Sequence, residues 1–242
     1  MVDVSVILCC HNGEATVARA LDSAFAQTMP ATAYEVIFVD DGSTDGTANV
    51  VEPYVERHPN LHYVRLAQNA GLPNACNIGL KRAKGRYVIR LDADDMFEPS
   101  ILDMMVRPLE EDVTDLVYSD RYELVASTGE FRLVSMRDFN LFRLTAAGVA
   151  ARRDLVLDIG GYRPFFWEEY DLYMRYSARS GRPFSYIPTP LYRYVRHSGG
   201  AAMTGSRDDV QRGWDQLIEI WGEPALRRFG WDPKFVETGQ GT

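Results

Sequence analysis

The sequence is poor in several features, and each absence removes a class of protein. Cysteine is one: Cys9, Cys10 and Cys76 form neither an even set nor a C-x-x-C pair. A disulfide framework is excluded, and a reducing cytoplasm is the expected compartment, with the inner face of the membrane as an alternative site of work. Long apolar runs are also missing. The opening segment MVDVSVILCCHNGEATV has an apolar stretch of only about six residues and no basic start, too little for a membrane span or a signal peptide. Any membrane contact is expected to be peripheral, through FNLFRL (139–144) or the tail around Trp214, Trp221 and Trp231. Positive charge is in deficit: 26 Lys and Arg against 34 Asp and Glu give a net charge of -8. That argues against a general nucleic-acid binder. Finally, neither G-x-G-x-x-G after the first strand nor G-x-x-x-x-G-K-[ST] occurs. Without such loops to cradle phosphate on backbone N–H groups, phosphate has to be held through a cation.

What is present suits a full core. With 46% hydrophobic residues, the chain fits one large α/β domain, or a domain with a small appendage. Through the first hundred residues short β-rich runs alternate with helical patterns. VSVILCC (4–10), YEVIFVDD (34–41), LHYVRL (61–66) and RYVIRLD (86–92) read as strands. EATVARALDSAFAQT (14–28), DGTANVVEPYVERH (45–58) and LPNACNIGLKRAK (72–84) read as helices, the first with Val17, Leu21, Ala24 and Phe25 on one stripe. This rhythm predicts right-handed βαβ units and a mostly parallel central sheet flanked by helices. Beyond the aspartates the alternation breaks. A helix is expected over 99–111, strands around a Ser127-Thr128-Gly129 turn, a short strand and helix stopped at Gly160-Gly161, and a helix over EEYDLYMRYSARSG (168–181). A strand, a Gly/Ser-rich loop and a last helix of about twenty residues complete the chain.

In an open α/β sheet, ligands bind at the carboxyl ends of the strands. The polar clusters fall there: Cys9-Cys10-His11-Asn12-Gly13, Asp40-Asp41-Gly42-Ser43, Gln68-Asn69-Ala70-Gly71 and Asp92-Ala93-Asp94-Asp95. Each alone is ordinary turn chemistry. Together they make a crevice with acceptors for a heterocycle and a ribose. The last cluster packs three carboxylates into four positions, which repel one another unless a cation, a ligand or water offsets the charge. Mg²⁺ or Mn²⁺ suits such oxygen ligands and would bridge a diphosphate.

VSVILCCHNGEATVARALDSAFAQT, YEVIFVDDGSTDGT, NAGLPNACNIGLKRAKGRYVIRLDADD and EEYDLYMRYSARSG, in this order and spacing, resemble the family 2 glycosyltransferases of the GT-A fold over about residues 3 to 200. The resemblance implies that Asp41, with Asp40 beside it, hydrogen-bonds the uracil ring and that His11 stacks on it. Cys9, Asn12, Asn69 and Ala93 then lie along the nucleotide. Asp92 falls near the ribose and Asp94 on the metal, with Asp95 sharing or replacing that contact. The late acidic pair is Glu168-Glu169, the first on the acceptor side and the second the catalytic base. His197 stands as a third metal ligand or diphosphate contact, with Arg193 or Arg196 neutralising the leaving group. Departures from the family pattern are Cys9-Cys10-His11-Asn12 for Pro-Thr-Tyr-Asn, Cys76 before Asn77 for Arg, and Glu169 for Asp.

The late helix also has its own physics. Glu169 lies in the first turn, where the helix dipole favours an ionised acid. Asp171 and Arg175 are spaced for an i,i+4 ion pair on the helix surface.

The expected protein is a single GT-A domain over 1–205, nucleotide-binding in 1–100 and acceptor-binding in 101–205, with a helical extension over 206–242. It would be an inverting, metal-dependent transferase moving sugar from a nucleotide-diphosphate sugar, a UDP-sugar first. The acceptor would be a glycan, a lipid-linked or another hydroxyl, in bacterial-type polysaccharide or glycoconjugate synthesis. A nucleotidyltransferase making a sugar nucleotide, recognised by pyrophosphate release, and a non-catalytic nucleotide-sugar-binding module stay open as alternatives. No feature sets an oligomeric state.

Overall fold

In a computed structural model, which describes residues 2–196 and 207–234, the two most apolar runs form the centre of one sheet. β1 (Val4–Cys10) and β2 (Tyr34–Asp40) are buried at every position, as strands covered on both faces must be. β3 (Leu61–Arg65) pairs in parallel with β2, and β4 (Tyr87–Asp92) with β1. The crossovers are α1 (Val17–Phe25), α2 (Thr47–Arg57) and α3 (Leu72–Arg82). Side chains alternate between the faces. Val4, Val6, Leu8 and Cys10 pack with Leu21 and Val51, whereas Ile7 and Cys9 pack with Ala75, Cys76 and Leu80.

The second half inserts strands of opposite sense. It runs β5 (Met96–Phe97), α4 (Ile101–Glu110), β6 (Leu116–Val125), β7 (Glu130–Val134), β8 (Val149–Arg152), α5 (Arg153–Asp158), α6 (Glu168–Ser180) and β9 (Ser185–Arg196). The strand order is β3-β2-β1-β4-β8-β6-β9-β5, with β7 beside β6. β8 is antiparallel to both β4 and β6, so β6, and β9 parallel to it, resume the direction of β1 to β4. These strands therefore present their carboxyl ends at one rim.

The expected last helix is two. α7 (Arg207–Trp221) and α8 (Glu223–Arg228) are separated by Gly222, whose φ of 71° ends the first, while Pro224 opens the second. Both helices contribute to the core cluster around α6. Trp214 is fully buried with its ring against Phe142, Trp167 and Tyr170. Of the two segments expected to touch a membrane, Trp231, Leu141, Phe142 and Leu144 are also buried, and Trp221 donates inward to Asp171. Phe139, 42% exposed, and Ile220, 43% exposed, are the large apolar side chains these two segments leave on the described surface. Among the described residues no helix is long and apolar enough to cross a membrane.

Candidate active site

The loops after β1, β2 and β3 are bonded to one another before any ligand arrives. Asn12, at φ 56°, donates its N–H to Ser43 Oγ (2.9 Å) and accepts the Thr44 N–H on Oδ1 (2.8 Å). Gly13 N–H donates to Thr47 Oγ1, and Gly46 N–H to Glu14 Oε2. Gly42 cannot be anything else: its φ is 69°, and a Cβ there would lie 2.4 Å from the Gln68 carbonyl carbon. His11 is exposed on this rim, its Nδ1 2.9 Å from the Asp41 carbonyl oxygen.

The two aspartates of the β2 loop do structural work. Asp40 is fully buried and accepts from Ser43 N–H (2.8 Å) and the Tyr63 hydroxyl (3.0 Å). Asp41 turns its carboxylate to the β3–α3 loop, accepting from Ala70 N–H (2.7 Å) and Gly71 N–H (3.0 Å). Asn69 caps the same turn, its Oδ1 accepting from Gly71 N–H. Asp41 thus shapes this part of the rim through its neighbours.

Next to these loops lies the acidic mouth. Asp92, Ala93 and Asp94 are half-buried at the end of β4. A Cβ on Gly13 would lie 2.3 Å from Cys10 Sγ and 3.9 Å from the Ala93 Cβ, so the β1 and β4 loops meet. Burial, followed by the charges of Asp40, Asp45 and Asp94, pushes the Cys10 thiol up to about 12. The Asp92 carboxyl is also raised, by burial and by Asp94, with Arg90 opposing. Acids crowded closely enough to raise the Asp92 carboxyl and the Cys10 thiol make a site short of positive charge. Among the described residues no three His, Cys, Asp or Glu converge as a complete cage. The set fits a hard cation that takes one or two carboxylates and completes its shell from phosphate oxygens and water, as Mg²⁺ does.

Across the mouth stands the start of α6. Its N-cap, Trp167, offers no side-chain cap, and its first turn carries Glu168, Glu169 and Asp171. Glu168 is buried and bound by Arg90, whose Nη1 donates to Oε1 at 3.0 Å. Glu169 is half-buried, and its carboxylate accepts from no other side chain among the described residues. Burial and then the Glu168 charge raise its carboxyl well above the ordinary range, which makes it a stronger base than a surface glutamate once it is ionised.

Several expected site residues are elsewhere. Cys9 belongs to the core, its thiol hydrogen-bonded to Cys76 under the sheet, because the β1 alternation turns it away from the rim. Asp95 is 1% exposed and accepts from the Tyr192 hydroxyl and from Val195 N–H (2.8 Å). With both oxygens bonded to β9 it serves as a tether, not as the metal ligand expected of it. Arg193 donates to Glu98, and Arg196 to Glu123, which also holds Arg121. Each therefore arrives already paired with an acid. His197 lies outside the described residues. Asp171 is not a surface partner: fully buried, it takes Arg175 Nε at 2.7 Å and the Trp221 indole at 3.2 Å, and Arg175 also caps the carbonyls of Ile159 and Gly161. Sequence reasoning missed Arg90 and Asn77. Asn77 clamps the Tyr162 backbone on both sides (2.7 and 2.8 Å) ahead of α6. A charged residue inside the apolar run YVIRLD was the available signal for Arg90.

Comparison with known proteins gives the family and the fold. The model of glycosyl transferase family 2 matches residues 5–174, well over half the chain. The chain belongs to this family. It is 30% identical over 222 residues to chondroitin synthase of Escherichia coli, covering 86% of this chain and 31% of that one. It is 35% identical over 118 residues to the poly(ribitol-phosphate) beta-N-acetylglucosaminyltransferase TarS of Staphylococcus aureus, covering 48% and 20%. The chain spans half or less of the length of these curated relatives. Among solved structures, S. aureus TarS with UDP-GlcNAc superposes with a TM-score of 0.76 at 22% identity, over 94% of this chain and 71% of that one. A mannosyltransferase from Pyrobaculum calidifontis, in complex with GDP-Man and Mn²⁺, gives 0.69 over 97% and 67%. These likenesses show the GT-A fold.

Proposed function

We propose that this family 2 chain is an inverting glycosyltransferase that moves a sugar from a UDP-sugar to an acceptor hydroxyl. A divalent cation would assist it, in the building of a bacterial-type polysaccharide or glycoconjugate. The observation that carries the reading is Glu169: a half-buried acid on the first turn of α6 without a side-chain hydrogen-bond partner among the described residues, next to the Glu168 that Arg90 links to Asp92, and close enough to Asp92 to feel its charge. Relatives named for glycan synthesis, and neighbours holding UDP-GlcNAc or GDP-Man, supply the substrate class.

On this reading the stitched β1–β2–β3 rim binds the nucleotide, with His11, Asn12 and Asn69 lining the base side and Asp92 at the ribose. Asp94 would hold Mg²⁺ or Mn²⁺, which when bound stabilises the charge growing on the departing diphosphate. Glu169 takes the acceptor hydroxyl proton while that oxygen bonds the anomeric carbon. The bond to the diphosphate oxygen breaks on the opposite face, so the configuration inverts without a sugar–enzyme bond. The α6 dipole favours the ionised Glu169 that starts the step. Three free, buried thiols fit work in the cytoplasm.

The test is a thermal-shift and calorimetric comparison of UDP, GDP, CDP and ADP with and without Mn²⁺. UDP with Mn²⁺ is expected to stabilise most, by about 2.7 kcal/mol at a hundred times its Kd. Preference for GDP would replace the base and keep the transferase. Failure of every nucleotide to bind would overturn the reading.

A further inference from the structure

Arg90 occupies a central strand, where a charge is costly, and its side chain is only 6% exposed. Its backbone is paired with Ile7 of β1, and its carbonyl accepts from Gly148 N–H, so the Cα is fixed from both sides. Nε donates to Asp92 Oδ1 at 2.6 Å and Nη1 to Glu168 Oε1 at 3.0 Å. The guanidinium also lies 5.9 Å from the centre of the Tyr162 ring, on the segment that Asn77 clamps. Burial opposes the charge, and Asp92, Cys76 and Glu168 together more than restore it. A planar fork with donors in fixed directions can hold two carboxylates in a set relation, which a lysine cannot do.

We propose that Arg90 is a positioning residue: by bridging Asp92 on the nucleotide side to Glu168 on the acceptor side, it makes the placement of Glu169 depend on donor occupancy at the end of β4. The proposal rests on the transferase reading above. Glu168 precedes Glu169 on the same helix turn, so a shift of Asp92 on binding nucleotide is passed to the base through two charge-assisted hydrogen bonds and no intervening loop. The bridge is available here because an arginine stands inside β4 and a glutamate opens α6.

The experiment is hydrogen exchange on the full chain with UDP and Mn²⁺ as the probe, for the parent, Arg90→Lys and Glu168→Gln, with the UDP Kd measured alongside. In the parent, UDP with Mn²⁺ slows exchange of the amides at 168–172 by about tenfold. In both variants UDP still binds, within about tenfold of the parent Kd, and the protection at 168–172 disappears while that at the β1 and β2 loops persists. A purely structural role for Arg90 would instead lower protection everywhere in proportion to lost stability. Glu168→Gln keeps the test alive if Arg90→Lys fails to fold, since it leaves the Arg90–Asp92 bond in place. Unchanged protection of α6 in the variants, or none in a parent that binds UDP, overturns the bridge and leaves the transferase reading standing. A parent that binds neither UDP nor GDP removes that reading, and the bridge with it.

Discussion

In the β1–β4 half of the rim, short polar side chains bond to backbone in their own loop or the next: Asp40 to Ser43, Asn12 to Thr44, Asp41 to Ala70 and Gly71. In the β6–β9 half, order comes from long side chains and rings reaching across the fold: Arg121 and Arg196 on Glu123, Arg175 on Asp171, and Trp214 among Trp167, Tyr170 and Phe142. The first kind of construction leaves a preformed crevice whose shape belongs to the loops themselves. The second holds a helix, α6, whose position depends on buried charges. On the proposed reading the first half would cradle the nucleotide and the second would present the acceptor side.

Removing a buried partner from the second half should cost most. Asp171→Asn leaves Arg175 short of its charge partner inside the core, and about 3–5 kcal/mol of stability is expected to be lost. Denaturant unfolding checks this, and a loss of a few tenths would mean that the pair behaves as a surface one. Asp41→Ala, in the first half, removes two bonds to backbone N–H groups that water can reach. About 1–3 kcal/mol is expected, felt chiefly as weaker uridine and UDP binding, because the 69–71 turn loosens. Titration with uridine and with UDP separates this from a phosphate contact, which would spare uridine. Asp94→Asn should leave the fold intact and weaken UDP in the presence of Mn²⁺ by about tenfold, or 1.4 kcal/mol, with little effect on UDP alone. Equal Mn²⁺ dependence in variant and parent would take the cation away from Asp94.

The contrast also explains what could be read from the sequence. The first half was legible because its elements follow local rules: period-two burial in VSVILCC and YEVIFVDD, helical stripes between them, and Gly42 where only glycine fits. Asp92, Asp94 and Glu169 were singled out through motifs, and the structure puts the Asp92 charge within reach of both others. What stayed hidden depended on partners far along the chain. Nothing near Asp95 announces Tyr192, nothing near Asp171 announces Trp221, and the antiparallel β8 between β4 and β6 has no local signature. Cys9 was misplaced for a simpler reason. Of two adjacent strand residues only one can face a given side, and the strand-end position does not say which.

The central claim is that the two halves meet at Glu169, and single-turnover transfer with saturating donor tests it most directly. Glu169→Gln should bind UDP-sugar as the parent does and transfer 10² to 10⁴-fold more slowly, roughly the contribution of a positioned base. Burial and Glu168 raise the parent carboxyl, so it is protonated and idle at low pH. The parent rate should therefore climb with pH through a step above the usual glutamate range, and the Gln variant should lack that step. A Glu169→Gln protein that keeps the parent rate and the same pH step would contradict the account and move the base elsewhere on the rim.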